Sequence, residues 1–377
     1  MYARLIHPPT QNSFFLFGSR GTGKTTWVKS QYPTALYFDL LKAETYTYLV
    51  ANPTRIEESI PKDFNDWIVI DEIQKIPALL DEVHRLIETN HYKFILTGSS
   101  ARKLRRGGVN LLAGRALIYT MHPLTAAELG KEFHLKEYIV FGGLPAVFAT
   151  QDKKNYLKSY IQTYLQQEII QEGISRNVAS FARFLETASF SQGSVLNMTE
   201  VGREASVGRK VVEDYFSALE DLMLGVRLPV FSKKAKRRLV KHNKFYFFDV
   251  GVYQAIRPMG PLDYPEVMGG VALESVFFQN LRAINDYLDL GYTLYYYRTA
   301  TGVEVDFIAY GERGLKAFEI KSKKTISRSD ISGLVSFLQD YPTAKGYMLY
   351  GGSERLYIKN IEILPLMYAV QNLATLL

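Results

Sequence analysis

Gly18-Ser19-Arg20-Gly21-Thr22-Gly23-Lys24-Thr25 fits the pattern G-x-x-x-x-G-K-[ST] and lies between the apolar run Phe14-Phe-Leu-Phe17 and a segment with helical character. Strand, glycine-rich turn and helix in that order leave few folds open. The glycines let backbone N–H groups wrap phosphate oxygens at a helix N-terminus, where the peptide dipoles favour negative charge. Lys24 supplies positive charge to the outer phosphates, the Thr25 hydroxyl is placed to bind Mg2+, and Thr26 carries the binding stretch into the helix. The segment predicts a nucleotide site for ATP and Mg2+.

From Phe14 to about Thr120, short apolar runs alternate with helical segments, which implies an α/β domain around a parallel sheet. Trp67-Ile-Val-Ile70 reads as a buried strand ending in Asp71 and Glu72. Asp71 is placed to hold Mg2+ through water, and Glu72 to orient and activate the attacking water. The next strand ends Leu96-Thr-Gly-Ser-Ser100, at the sheet edge where ligand contacts gather, so Ser99 is the first γ-phosphate sensor candidate and Thr97 the second. Helix capping is the alternative for these hydroxyls. Arg115 is a candidate for stabilising the transferring phosphoryl group across a subunit boundary, with a surface ion pair as its alternative.

At 377 residues the chain exceeds one ordinary core, and its composition is globular. No apolar run approaches the ~18 residues of a membrane-spanning helix, and no secretion signal opens the chain, so the expectation is a cytoplasmic protein with no membrane partner. Cysteine is absent, which excludes disulfides and thiolate chemistry. The net charge of +7 is local: Phe231 to Lys244 holds seven Lys/Arg and no Asp/Glu. Lys233, Lys234, Lys236, Arg237, Arg238 and Lys241 are therefore the candidate nucleic-acid contacts, with DNA as the partner and a solvated loop as the alternative.

Between Pro123 and Gly193 the periodicity is helical and reads as a lid and connector. Asn197 and Glu200 predict a helix start, followed by a turn at Val207-Gly208 and a longer helix ending near Gly225. With the strand Val226 to Phe231, the basic run and Phe245-Tyr-Phe-Phe248, this order suggests a winged-helix module whose wing carries the positive charge.

The last segment predicts a helix over Leu273–Tyr287, strands near Thr293–Tyr297, Glu304–Ala309 and Ala317–Ile320, a helix over Ser327–Gln339 and a strand over Gly346–Leu349. Glu274, Asp306 and Glu319-Ile-Lys321 follow the order helix Glu, strand Asp, then Glu-x-Lys found in PD-(D/E)XK nucleases. Glu319 and Lys321 share a strand face. In the nuclease reading Asp306 and Glu319 hold Mg2+, Glu274 completes the outer shell, and Lys321 activates the attacking water, with Glu304 a lower-ranked ligand. Solvated cross-strand charges are the alternative.

Gly-Ser-Arg-Gly-Thr-Gly-Lys-Thr, Val-Ile-Asp-Glu-Ile-Gln, Leu-Thr-Gly-Ser-Ser and Ala-Gly-Arg together resemble the AAA-type ATPases of a prokaryotic ATP-binding family. Phe141-Gly-Gly-Leu-Pro145 and Lys244-Phe-Tyr-Phe-Phe-Asp-Val-Gly251 resemble its linker and C-terminal signatures. The resemblance implies an AAA+ P-loop core over 1–122, a helical lid over 123–175, a winged-helix domain over 176–248 and a restriction-endonuclease-like α/β domain over 249–377. It also implies a homo-oligomer, with a hexameric ring as one form and Arg115 matching the arginine finger. The function expected is an ATPase that binds and processes duplex or branched DNA, its terminal domain a Mg2+-dependent endonuclease. The alternatives are a nucleotide-gated DNA-binding switch and a junction-remodelling translocase.

Overall fold

The apolar run before the glycine-rich turn becomes the interior of a five-stranded parallel sheet. In this computed structural model, which describes residues 2–100, 104, 112–165, 170, 177–260 and 265–377, the sheet belongs to one of two compact units, Ile6–His122 with Asp221–Met223. Its strands are β1 (Ser13–Phe17), β2 (Leu36–Asp39), β3 (Trp67–Asp71), β4 (Lys93–Gly98) and β5 (Ala116–Thr120), in the order β2-β3-β4-β1-β5. Every residue of β1 and β3 is buried, as expected of inner parallel strands that read as unbroken apolar runs. Helix α1 (Lys24–Gln31) leaves the glycine-rich turn. Between β2 and β3 lie α2 (Ala43–Ala51) and α3 (Arg55–Glu58). Helix α4 (Leu79–Asn90) buries Leu79, Leu80, Val83 and Leu86, so its apolar residues recur at the spacing of one helical face.

The other unit comprises Met1–Leu5, Pro123–Glu220 and Leu224–Leu377. Short helices α5 (Ala126–Leu129), α6 (Leu135–Phe141), α7 (Pro145–Ala149) and α8 (Lys153–Ser159) come first, then a π-helical stretch, Tyr160–Leu165. Three helices follow, α9 (Val178–Ser189), α10 (Met198–Glu204) and α11 (Arg209–Asp221), and then an antiparallel pair, β6 (Gly225–Leu228) with β7 (Lys244–Phe247). Asn197 caps α10 as expected, its side chain accepting from the Glu200 N–H at 3.3 Å.

The apolar strand expected over Val226 to Phe231 ends early, at Leu228. Beyond it the chain crosses to β8 (Thr293–Arg298): the Phe231 N–H donates to the Tyr296 carbonyl at 2.7 Å and the Val240 N–H to the Arg298 carbonyl at 3.1 Å. Phe231 is buried with Tyr297, Val305 and Phe337, so the apolar surface of the terminal sheet competes successfully for it.

After α12 (Val250–Ile256) and α13 (Pro265–Tyr287) comes a six-stranded sheet of β8, β9 (Glu304–Gly311), β10 (Gly314–Lys321), β11 (Lys345–Tyr350), β12 (Leu356–Ile358) and β13 (Ile361–Pro365), in the order β12-β13-β11-β10-β9-β8. Strands β8, β9 (Glu304–Gly311) and β10 (Gly314–Lys321) form an antiparallel meander. Helix α14 (Ser332–Asp340) then carries the chain to β11 (Lys345–Tyr350), which pairs parallel to β10. Rings from α13 clamp the meander, Phe278 stacking on Phe307 at 5.3 Å and Phe277 meeting Phe318 at 5.1 Å. Helix α14 starts five residues later than the expected Ser327, because the Ser327 hydroxyl and N–H both turn to the Asp330 carboxylate. Two further strands, β12 (Leu356–Ile358) and β13 (Ile361–Pro365), lie beyond those expected from the sequence. Helices α15 (Leu366–Gln371) and α16 (Leu373–Leu376) end the chain.

Two sequence signatures meet in this unit. Asp249, fully buried, caps α12 by accepting from the Val252 N–H at 3.0 Å, and also accepts from the Gly143 N–H at 2.7 Å and the Gln279 amide at 3.1 Å. A Cβ on Gly142 would lie 2.1 Å from the Asp249 carboxylate, and one on Gly251 would lie 2.2 Å from the Phe141 carbonyl. These glycines are required for close approach of the backbone. Among the described residues, no helix is long and apolar enough to cross a membrane.

Candidate functional site

At the C-terminal ends of β1, β3 and β4 the structure gathers most of the residues expected of a nucleotide site. Gly21 and Gly23 have φ of 81° and 91°, a conformation that costs glycine little, and Gly23 caps α1. A Cβ on Gly18 would meet the Met121 carbonyl at 2.4 Å. Lys24, buried, donates to the Gly18 carbonyl at 2.6 Å and the Ser19 carbonyl at 3.2 Å, so its ammonium lies across the mouth of the loop. Ser19 donates to the Met223 carbonyl at 2.8 Å, and Thr22 to the Ser19 carbonyl at 2.8 Å. Arg20 and Thr26 are exposed.

The Thr25 hydroxyl donates to Asp71 at 2.9 Å. Asp71 also accepts from the hydroxyls of Thr97 and Tyr37. Burial, and then the bond to Asp71, push the Tyr37 phenol far above its ordinary pKa, which keeps it protonated and donating. Thr25 and Asp71 are thus adjacent, an oxygen donor pair that suits Mg2+. Glu72 has φ 64°, a left-handed conformation that a non-glycine residue seldom adopts and that a surrounding structure must impose. Its N–H donates to the Thr97 hydroxyl at 3.2 Å, and its carboxylate accepts from the Gln74 amide. That same amide donates to Ser99 at 3.0 Å, while Gln74 Oε1 is buried with no partner among the described residues. Gln74, the last residue of the Val-Ile-Asp-Glu-Ile-Gln signature, therefore joins the expected water-activating residue to the expected sensor, a link that the signature alone does not specify.

Arg115 is not among the residues gathered here. Its guanidinium pairs with Glu88 on α4, the surface ion pair that was its alternative reading. A pair between half-exposed side chains contributes little to stability and separates readily.

A second cluster forms in the other unit. The β9–β10 ladder stops at the pair Phe318–Phe307, and just beyond it Asp306 and Glu319 stand where the two strands part. The Asp306 carboxylate accepts from the Ile320 N–H at 2.8 Å, and Lys321 pairs with Glu319 at 2.6 Å. Glu274 comes from α13, and the Tyr246 hydroxyl on β7 donates to it at 3.2 Å. The four residues expected together are therefore together, joined by a lysine that the sequence places in the basic run. Lys244, two residues from Tyr246 and on the same strand face, is buried and pairs with Glu304 at 2.5 Å.

Burial and then Asp306 push the Glu274 carboxyl up to about 8. Asp306 is raised by burial, and Glu319 is held well above the carboxylate range by burial and then by Asp306. Burial pulls Lys244 down, but Glu274, Asp306 and Glu304 outweigh it and hold the ammonium above the ordinary lysine value. Among the described residues, no group of three or more His, Asp or Glu side chains has an arrangement that holds a metal ion. Asp306, Glu319 and Glu274, the expected metal set, thus share their space with the buried Lys244 ammonium.

A raised carboxyl pKa favours folding at low pH, and that contribution is lost as pH rises from the ordinary 4.5 through about 8. Glu274→Gln, whose amide does not titrate, is expected to gain thermal stability relative to the wild type across this window. A constant difference in Tm from pH 5 to pH 8 contradicts the raised value.

The basic run contributes exposed side chains at Lys233, Lys234, Lys236, Arg238 and Lys241. Arg237, also exposed, is committed to Asp340 at 2.6 Å and so is a poorer phosphate contact than its neighbours.

Comparison with known proteins divides the chain in three. Residues 10–130 match the model of the AAA domain, 132–263 a domain of unknown function (DUF8612), and 269–369 a domain of unknown function (DUF4143). The first and last support a prokaryotic AAA-type ATPase. No curated protein matches the chain. Among solved structures, the Orc1 protein of Aeropyrum pernix in complex with DNA is 15% identical, covering 66% of this chain and 87% of its own, with a TM-score of 0.25. A signal transduction ATPase with numerous domains from Pyrococcus horikoshii is 14% identical, covering 77% and 49%, with a TM-score of 0.26. The DNA clamp loader delta protein of Bacillus subtilis is 13% identical, covering 57% and 84%, with a TM-score of 0.25. Scores this low do not establish a shared overall fold.

Proposed function

We propose that this chain is an ATPase whose nucleotide cycle governs its hold on DNA, duplex or branched. The observation that carries the reading is the meeting of Lys24, Thr25, Asp71 and Glu72 at one sheet edge, with Thr25 and Asp71 2.9 Å apart. Bound Mg2+, held by Thr25 and through water by Asp71, would neutralise charge on the β- and γ-phosphates. Lys24 exchanges the loop carbonyls for phosphate oxygens. Glu72 accepts a proton from the attacking water, while Gln74 and Ser99 link its carboxylate to the place of the γ-phosphate. Arg115 serves a neighbouring subunit of a homo-oligomer, such as a hexameric ring, once its pair with Glu88 opens.

The three helices and the β6–β7 pair support a winged-helix reading of 176–248, with the exposed lysines beside β8 as its DNA-binding stripe. Helix α13, the meander and the parallel β11 support a PD-(D/E)XK nuclease-like fold for the last domain. Two readings of that domain follow, cleavage and binding alone. Lys244 among the carboxylates favours binding alone.

Replacing Lys233, Lys234 and Lys236 by Ala is expected to weaken DNA binding on all sequences alike. The dependence of log K on log salt should flatten by about 0.9 for each phosphate that the variant leaves unneutralised. An unchanged slope, from duplex titrations at several salt concentrations, would remove these lysines from the interface.

A further inference from the structure

We infer that the Lys244 ammonium is the resident cation of the carboxylate cluster, filling the charge-balancing role expected of Mg2+, so that the wild-type cluster takes up no divalent ion. The inference rests on the nuclease-like reading of the terminal domain and favours its binding-only form.

Two observations carry it. Lys244 is 3% exposed on its side chain, and a buried ammonium persists only where counter-charge surrounds it. That counter-charge is the cluster itself: Glu304 pairs with the ammonium directly at 2.5 Å, and Tyr246, two residues along the same strand, donates to Glu274. A divalent ion and an ammonium in one buried pocket repel each other, and desolvating both costs more than either alone. The ammonium is tethered to β7 and cannot be diluted away, whereas Mg2+ must leave its water shell to compete.

Lysine at this place is also positioned by the strand. Lys244 opens β7 in register with Leu228, and its stem passes the Tyr296 ring, the ammonium lying 5.4 Å from the ring centroid. Tyr246 follows on the same face and donates to Glu274. One strand thus supplies both the cation and a hydrogen-bond donor to the acidic residues.

The test is a Mn2+ titration of the nucleotide-free full chain, followed by calorimetry and by the paramagnetic signal of bound Mn2+. Wild type and Asp306→Asn are expected to behave alike. Lys244→Met is expected to gain a Mn2+ site that the Lys244→Met/Asp306→Asn double variant lacks. Should Lys244→Met fail to fold, Lys244→Gln, which retains a polar head for Glu304, replaces it with the same expectation. A Mn2+ site in the wild type that Asp306→Asn removes overturns the inference, as does a folded Lys244 variant that gains none. Neither ATP nor DNA enters the titration. Failure here is therefore distinct from failure of the proposed function, which is read in ATP turnover and DNA affinity.

Discussion

Glu72→Gln is expected to lower ATP turnover about 10²- to 10⁴-fold, the range for removing a positioned general base, while leaving ATP affinity nearly unchanged. The amide keeps the size of the side chain and its contact with Gln74 but accepts no proton from the attacking water. The expected signature is a fall in kcat with little change in KM, since the interaction removed is made in the transition state. Lys24→Ala is expected to differ in kind: it removes the ammonium that lies across the loop and so weakens nucleotide binding itself. Equal losses of binding in both variants would place Glu72 outside the chemistry.

The second large effect is structural. Asp249→Ala is expected to destabilise the unit that contains it by about 3–5 kcal/mol, because it strands three buried donors at about 1–3 kcal/mol each with partial relaxation. Those donors are the N–H groups of Gly143 and Val252 and the amide of Gln279. Thermal unfolding followed by circular dichroism should show a Tm lower by about 10 °C. Gly142→Ala should produce a loss of the same order by a different route, driving a Cβ against the Asp249 carboxylate at a residue whose φ of 71° already disfavours a side chain. A variant of either kind that melts within a degree or two of the wild type would show that these two signatures do not hold one another.

The nucleotide site was legible because its information is local. Eight consecutive residues fix the loop, and a strand ending in Asp71 and Glu72 delivers its carboxylates to the sheet edge by register alone. The bridging role of Gln74 was not legible, although the residue closes the Val-Ile-Asp-Glu-Ile-Gln signature: its amide reaches both Glu72 and Ser99 only because β3 and β4 are neighbours in space. The second cluster was legible in part for the same reason. Glu274, Asp306, Glu319 and Lys321 follow a spacing that can be recognised along one segment. Lys244 lies at the end of a run of seven basic residues, where its charge reads as one more solvated lysine. Only the pairing of β7 with β6, and the approach of that strand to α13 and β9, turn it inward. The hairpin departs from expectation at its far end because Phe231 finds more apolar surface in the terminal sheet than a two-stranded ribbon offers. Arg237 shows the converse, a residue counted with a positive stripe whose charge an acidic neighbour from α14 has claimed.

The central claim is that ATP turnover at Lys24, Asp71 and Glu72 is tied to DNA. Its most direct test is the steady-state rate of ATP hydrolysis by the full chain, titrated in parallel with duplex, forked and four-way DNA at fixed salt. The rate is expected to change with DNA concentration for at least one of these forms and to fall to background in Glu72→Gln. A wild-type rate no higher than that of Glu72→Gln, or one that no DNA alters, would contradict it.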